Sequence, residues 1–254
     1  MNILINGFFG KMGQKVYTLS KKYDDIKVVF GVDKDDKITT SKADFDDVKI
    51  LNNITLAKDC DVVIDFSHPL AIGSVLNFCV KNHTPLVVAT TGHTKQQEEE
   101  IARASNYIPI FKASNLSVSV SHFMNIIKQA VENLTDFDIE IVETHHALKV
   151  DSPSGTAKTM FDTVKSVRKN ARMIVGRNEL SPRRQKDDVG VHSIRGGGVC
   201  GEHSIIFLSQ NEEIKISHFA SCTDEFARGA ILASKFISAQ KSGLFDMKSL
   251  LKDS

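Results

Sequence analysis

The 254-residue chain has no apolar run of about 18 residues, so nothing in it reads as a membrane-spanning helix. It has no charge excess either: 32 Lys and Arg face 31 Asp and Glu, a formal net charge of +1. Bulk electrostatic binding to nucleic acid rests on a clear basic excess and is excluded, and an anionic membrane surface has nothing to attract. Cysteine is scarce and unpaired. Cys60, Cys79, Cys200 and Cys222 form no C-x-x-C pair, so neither a zinc knuckle nor a disulfide framework fits. Four buried, inert thiols in a reducing cytoplasm are the expectation. The start, MNILINGFFGKMGQKV, lacks the pattern of a signal peptide and reads as a β–turn–α unit. Internal repeats and low-complexity linkers are also missing. What remains is globular composition, 41% hydrophobic and 25% charged, long enough for one large domain or two modest ones.

Short apolar runs at 2–6, 27–32, 48–51, 61–66, 85–89 and 108–112 predict buried strands. Helices fit between several of them: Lys11 to about Lys22, after Pro69 to Lys81, and 94–104. An acidic, polar stretch follows Asp33. This alternation predicts an α/β fold, a doubly wound and mostly parallel sheet. The pattern changes near 115–120. A helix over 118–134 precedes strands at 137–143, 190–195, 203–209 and 213–219, with a helix at 224–239. The last three strands lack intervening helices, which predicts a second sheet of meander or mixed type.

Gly7-Phe8-Phe9-Gly10-Lys11-Met12-Gly13 lies between the first strand and the first helix. Glycines there let a backbone approach a pyrophosphate at a helix N-terminus. The spacing is G-x-x-G-x-x-G rather than G-x-G-x-x-G, but its place is right, and Asp33 ends the second strand 20 residues beyond the last glycine. A carboxylate there bonds ribose hydroxyls. Lys34 beside it is either a partner for the 2′-phosphate of NADPH or a solvated surface lysine, so NADH and NADPH both stay open. Thr90, Thr91 and Gly92 end a later strand and could offer hydroxyls and backbone to a nicotinamide.

The second signal is ETHHALKVDSPSGTA, residues 143–157. His145 and Lys149, four apart, fall on one side of either a strand or a helix. Together with His146 they could gather positive charge around an anion while leaving one group to move a proton. Ser152-Pro153 reads as an N-cap and first helical residue, which aims the amides of Gly155 and Thr156 at a carboxylate. Glu143, His145, His146 and Asp151 have metal-ligand chemistry, but their spacing matches no zinc motif and no metal is expected.

Taken together, GFFGKMG, VIDFSHP, ATTG, ASNLSV, ETHHALKVDSPSGTA, SIRGGGVCGEH and SGLFDM resemble the dihydrodipicolinate reductase (4-hydroxy-tetrahydrodipicolinate reductase) family over nearly the whole chain. The resemblance implies a Rossmann-like nucleotide-binding domain at 1–117, rejoined by 221–254. It implies an α+β substrate domain at 118–220, whose mixed sheet builds a homotetramer. The implied reaction is hydride transfer from NADPH or NADH to the conjugated imine of a small dicarboxylate ring, in diaminopimelate and lysine synthesis. Gly7, Phe8, Phe9, Gly10, Lys11, Met12, Asp33 and Lys34 would then hold the cofactor's diphosphate and adenosine ribose. Ala89, Thr90 and Thr91, with Ala113, Ser114, Asn115 and Leu116, would line its nicotinamide end. His145 matches the proton donor and Lys149 the second catalytic group, while His146, Gly155 and Thr156 match substrate carboxylate contacts. The chain departs from the family at Lys11, where arginine is usual, and at Ala89 and Ser119, where glycine is usual. Another Rossmann-type amino-acid dehydrogenase or a non-catalytic NAD(P) sensor would share the first half, but neither needs the H-H-x-x-K segment.

Charge is unevenly spread. Residues 165–186 carry eight basic residues against Glu179, either as a solvated face or to draw an anionic substrate and cofactor inward.

Overall fold

The computed structural model describes residues 1–40, 45 and 47–252, so residues 41–44 and 46 of the acidic stretch lie outside it. The chain forms two compact units, Met1–Val118 with Asp224–Ser254, and Ser119–Thr223.

The first unit is built on a seven-stranded parallel sheet. Its strands are β1 (Asn2–Asn6), β2 (Lys27–Val32), β3 (Lys49–Leu51), β4 (Val62–Asp65), β5 (Leu86–Val88), β6 (Pro109–Lys112) and β12 (Gly243–Phe245). They lie in the order β12-β6-β5-β4-β1-β2-β3. The order reverses between β1 and β4, the place where open α/β sheets bind ligands. One face is covered by α1 (Lys11–Ser20) and α7 (Asp224–Ser238), through Val16, Ala227, Ala230 and Ile231. The other is covered by α3 (Ile72–Lys81) and α4 (Lys95–Ala104), through Val75, Cys79 and Ile101. Burial on both faces is why β1, β4 and β5 are continuous apolar runs rather than alternating ones. Each fully buried Ile, Leu or Val there contributes about 1.5–3 kcal/mol. Helices α2 (Asp35–Thr40) and α8 (Met247–Lys252) complete the unit.

The second unit is a five-stranded mixed sheet carrying two helices, α5 (Val118–Asn133) and α6 (Gly155–Val167). Its strands are β7 (Asp138–His145), β8 (Arg172–Val175), β9 (Asp188–Arg195), β10 (Gly201–Leu208) and β11 (Glu213–Ala220), in the order β11-β10-β7-β9-β8. The meander is excluded. β7 lies between β9 and β10, parallel to the first and antiparallel to the second. The parallel β7–β9 pair needs a crossover, which α6 and β8 supply. β7 alternates strictly, with Ile139, Ile141, Glu143 and His145 buried. Its two isoleucines pack with Phe123, Ile127, Met160 and Val164 of the helices. The opposite face carries a cross-strand row, Phe219–Glu202–Thr144–Ile194, whose two apolar ends are exposed.

The expectation of four buried thiols is corrected. Cys79 alone is buried, Cys60 and Cys200 are half-buried, and Cys222 is exposed in the turn before α7.

Candidate active site

In the first unit, the glycine turn closes β1 and opens α1. Gly7 has a φ of +83°, and a Cβ there would lie 2.6 Å from the Phe66 carbonyl oxygen. Only glycine fits that turn. Gly10 is the N-cap of α1, without a side-chain cap and with no acid in the first turn, which keeps the positive end of the helix suited to an anion. The Phe8 ring is fully buried in the core, so this residue can present only backbone. Phe9 is half-buried against Phe45, and Lys11 and Lys34 are exposed. Asp33 already accepts two backbone hydrogen bonds, from the Phe9 amide at 2.8 Å and the Lys34 amide at 2.9 Å. A carboxylate offers about four lone-pair sites, so acceptor capacity for a ribose remains.

The strand-end turns are fastened by a group that the sequence reading missed. Asp65, fully buried at the end of β4, accepts from Asn6 Nδ2 at 2.8 Å, Ser67 Oγ at 2.5 Å and Thr90 Oγ1 at 2.9 Å. This corrects the expectation for Thr90, whose hydroxyl turns inward, while Thr91 is exposed. The available signal was a lone acid closing the apolar run VVID. In the 113–116 turn, Ala113 and Asn115 are half-buried, Ser114 is exposed and the Leu116 side chain is core. Gly229 of α7 makes room for that turn, because a Cβ there would lie 1.7 Å from the Leu116 carbonyl oxygen. Ala89 is half-buried and Met12 packs against the core.

In the second unit, His145 is the last residue of β7 and the segment then turns, with the Lys149 amide bonding the His146 carbonyl. The segment is therefore neither extended nor helical throughout, so the four-residue spacing does not by itself put His145 and Lys149 on one side. Charged contacts link them instead. His145 Nδ1 is 2.6 Å from Glu143 Oε2. Arg195 forks onto both Glu143 oxygens at 2.8 and 2.7 Å and donates to the Asp151 carbonyl at 2.6 Å. Lys149 Nζ pairs with the Asp151 carboxylate at 2.7 Å, which lowers that carboxyl below its usual range. Burial alone would raise the Glu143 carboxyl, but Arg195, His145 and the Ser154 amide outweigh it and hold the group at about 2.

The cap of α6 is Ser154, not Ser152. Ser154 is extended, and its Oγ accepts from the Ala157 amide at 3.2 Å. Pro153 precedes the cap instead of following it. Gly155 and Thr156 are still the first two helical residues, at the positive end of the dipole. The Ser154 hydroxyl also reaches His203 Nε2 at 3.0 Å, and the His203 and His145 rings meet edge to face, centroids 5.0 Å apart. Burial first, then the neighbouring His145, pushes His203 down to about 4, so it is neutral near pH 7. His146 is half-buried beside this group. Arg195 and His203 were missed as site residues although their segment, SIRGGGVCGEH, was singled out. Their pairing with β7 is long-range register that no local pattern carries.

The basic stretch divides. Arg168 donates to the Phe137 and Leu134 carbonyls, Arg172 pairs with Asp188, Arg177 with Glu140, and Arg184 with Asp138. These four arginines are fastened within their own unit, which withdraws half the charge from any role in drawing anions.

Two family models match the chain in sequence order: "Dihydrodipicolinate reductase, N-terminus" over residues 1–116 and "Dihydrodipicolinate reductase, C-terminus" over residues 119–251. The 4-hydroxy-tetrahydrodipicolinate reductase of Clostridium tetani (strain Massachusetts / E88) is 41% identical over 254 residues, covering 99% of this chain and 97% of its own. The enzyme of the same name from Staphylococcus aureus (strain JH9) is 37% identical over 250 residues, covering 98% of this chain and 100% of its own. Among solved structures, dipicolinate-bound dihydrodipicolinate reductase from Paenisporosarcina sp. TG-14 has a TM-score of 0.79 at 22% identity, with 97% of each chain covered. An amine dehydrogenase from Mycobacterium smegmatis also shares the fold, at a TM-score of 0.62 and 9% identity, covering 98% of this chain and 94% of its own. The fold alone therefore does not select the reaction.

Proposed function

Since the chain belongs to the dihydrodipicolinate reductase family, we propose that His145 delivers the proton of the family reaction and that Lys149 supports it with positive charge. The chain is an NAD(P)H-dependent oxidoreductase that reduces 4-hydroxy-tetrahydrodipicolinate, through dehydrated dihydrodipicolinate, to tetrahydrodipicolinate in diaminopimelate and lysine synthesis. The observation that carries the assignment of roles is the arrangement around His145. It is an almost buried imidazole, braced on one nitrogen by Glu143, within a cluster holding Lys149, Arg195 and the positive end of α6.

NAD(P)H, when bound, supplies the hydride. A turn that only glycine fits and an uncapped α1 N-terminus suit its diphosphate. Gly7 through Met12 would hold that group, Phe8 through its backbone alone. Asp33 and Lys34 would take the adenosine ribose. Ala89, Thr90 and Thr91, with Ala113, Ser114, Asn115 and Leu116, would meet the nicotinamide end, Thr90 and Leu116 through backbone. The substrate is a small dicarboxylate ring. His146, Gly155 and Thr156 grip a carboxylate, where the helix dipole favours negative charge. Reducing a conjugated imine leaves a carbanion-like centre, and an imidazole is suited to protonate it. The carboxylate of Asp33 fits NADH and the exposed Lys34 beside it fits NADPH, so both cofactors serve.

The first unit is the cofactor domain and residues 118–220 the substrate and assembly domain. A homotetramer, assembled through the mixed sheet, accounts for Phe219 and Ile194 being 63% and 51% exposed on one face. The protein works in the cytoplasm, in keeping with four free cysteines, and without nucleic acid or membrane partners. Replacing His145 tests the assignment. His145→Ala lowers kcat ~10²–10⁴-fold while NADPH affinity is kept, and unchanged turnover would remove His145 from the proton path.

A further inference from the structure

Glu143 does not face solvent at all, yet it meets three different segments. On its own strand it stands two residues before His145, on the same face, and one oxygen lies 2.6 Å from Nδ1. From β9 it receives the Arg195 fork at 2.8 and 2.7 Å, and from the start of α6 it receives the Ser154 amide at 3.1 Å. An ionised carboxylate only accepts hydrogen bonds, so the His145 nitrogen facing it must donate. In the neutral ring this puts the proton on Nδ1 and leaves the Nε2 lone pair open.

The other nitrogen faces Gly201. A Cβ at that position would stand 3.1 Å from Nε2 and 3.7 Å from the His203 ring, so glycine keeps the Nε2 side clear. The second histidine, His203, has its Nε2 engaged by the Ser154 hydroxyl.

We infer that Glu143 is a positioning residue for the reaction proposed above. It fixes His145 in the Nδ1–H tautomer, presents Nε2 to the reacting carbon, and sets the proton donor against the start of α6. Nε2 takes a proton from water, passes it to the carbanion-like carbon of the reduced ring, and returns to the neutral Nδ1–H form. Arg195 keeps the carboxylate ionised and in place, and through the Asp151 carbonyl it holds the Lys149 loop to the same point.

The first readout is the tautomer of neutral His145 in the substrate-free wild-type protein, from long-range ¹H–¹⁵N spectra assigned by the signal lost in His145→Ala. A protonated Nδ1 and unprotonated Nε2 are expected, whereas a neutral ring carrying its proton on Nε2 overturns the inference. The second is Glu143→Gln, whose amide can donate to Nδ1. Its ring should switch to the Nε2–H form and kcat should fall roughly 10- to 10³-fold, with the substrate KM within about threefold of wild type. A folded Glu143→Gln enzyme with wild-type kcat also overturns it. If that variant does not fold, the wild-type spectrum decides. The spectrum is taken without substrate, so its failure is distinct from failure of the reaction.

Discussion

Burying a carboxylate is unfavourable unless it is paired and hydrogen-bonded, and Glu143 satisfies both conditions with Arg195, His145 and the Ser154 amide. That pairing makes the protein acid-sensitive. Glu143 is held at about 2 against an ordinary 4.5, so its stabilisation is complete above pH 4.5 and is lost as pH falls toward 2. His203 is pushed down to about 4 from 6.5, so the unfolded chain binds its proton first and stability falls as pH drops from 6.5 to 4. Each shift corresponds to roughly 3 kcal/mol. Urea unfolding followed from pH 7.5 to 3.5 should show a first loss below pH 6.5, which His203→Gln removes. A flat profile down to pH 4.5 would contradict the buried, neutral His203. Cofactor choice can be tested at this scale. Lys34→Ala should lower kcat/KM for NADPH about 5- to 10-fold and leave NADH nearly unchanged, as expected for one exposed charge on a phosphate, and unchanged values for both would assign Lys34 to solvent. His145, Lys149 and Asp33 were singled out in the sequence by residue types that carry chemistry. The chain of contacts Glu143–Arg195–Asp151 was not, since it joins residues up to 52 apart in sequence.

Among the elements, those buried on both faces were read almost residue for residue. Lys27–Val32 is a strand as expected, and β1, β4 and β5 fall within their apolar runs. The pieces that escaped, α2, β8, β12 and α8, span three to six residues, too short for a period to show. The α6 cap was placed two residues early because S-P-S offers two capping serines and proline is favoured at the first helical position. Only the Ser154 oxygen reaches an amide of the first turn. Ser154→Ala should therefore cost about 0.5–2 kcal/mol of stability, measured by thermal or urea unfolding. Gly229→Ala should cost more than an exposed glycine-to-alanine change would gain, since its methyl meets the Leu116 carbonyl. A variant as stable as wild type would show that the 113–116 turn yields freely.

At the scale of the whole molecule, the parallel sheet with its covering helices was foreseen. The strand order of the second sheet was only half foreseen, because the insertion of β7 between β9 and β10 depends on a crossover whose β8 stayed hidden. The uncovered face of that sheet bears on assembly. Light scattering after size exclusion should give the mass of four chains, and Phe219→Glu should reduce it, while a monomeric wild-type mass would contradict the tetramer. Near-zero net charge proved to conceal paired arginines and a cluster in which Arg195 and Lys149 are matched by Glu143 and Asp151. The most direct test mixes the protein with NADPH or NADH and the freshly made condensation product of pyruvate and aspartate semialdehyde, and follows reduced-nicotinamide absorbance. Steady loss that needs both substrate and His145 is the predicted result. Cofactor binding with no oxidation by the wild-type protein would contradict the account.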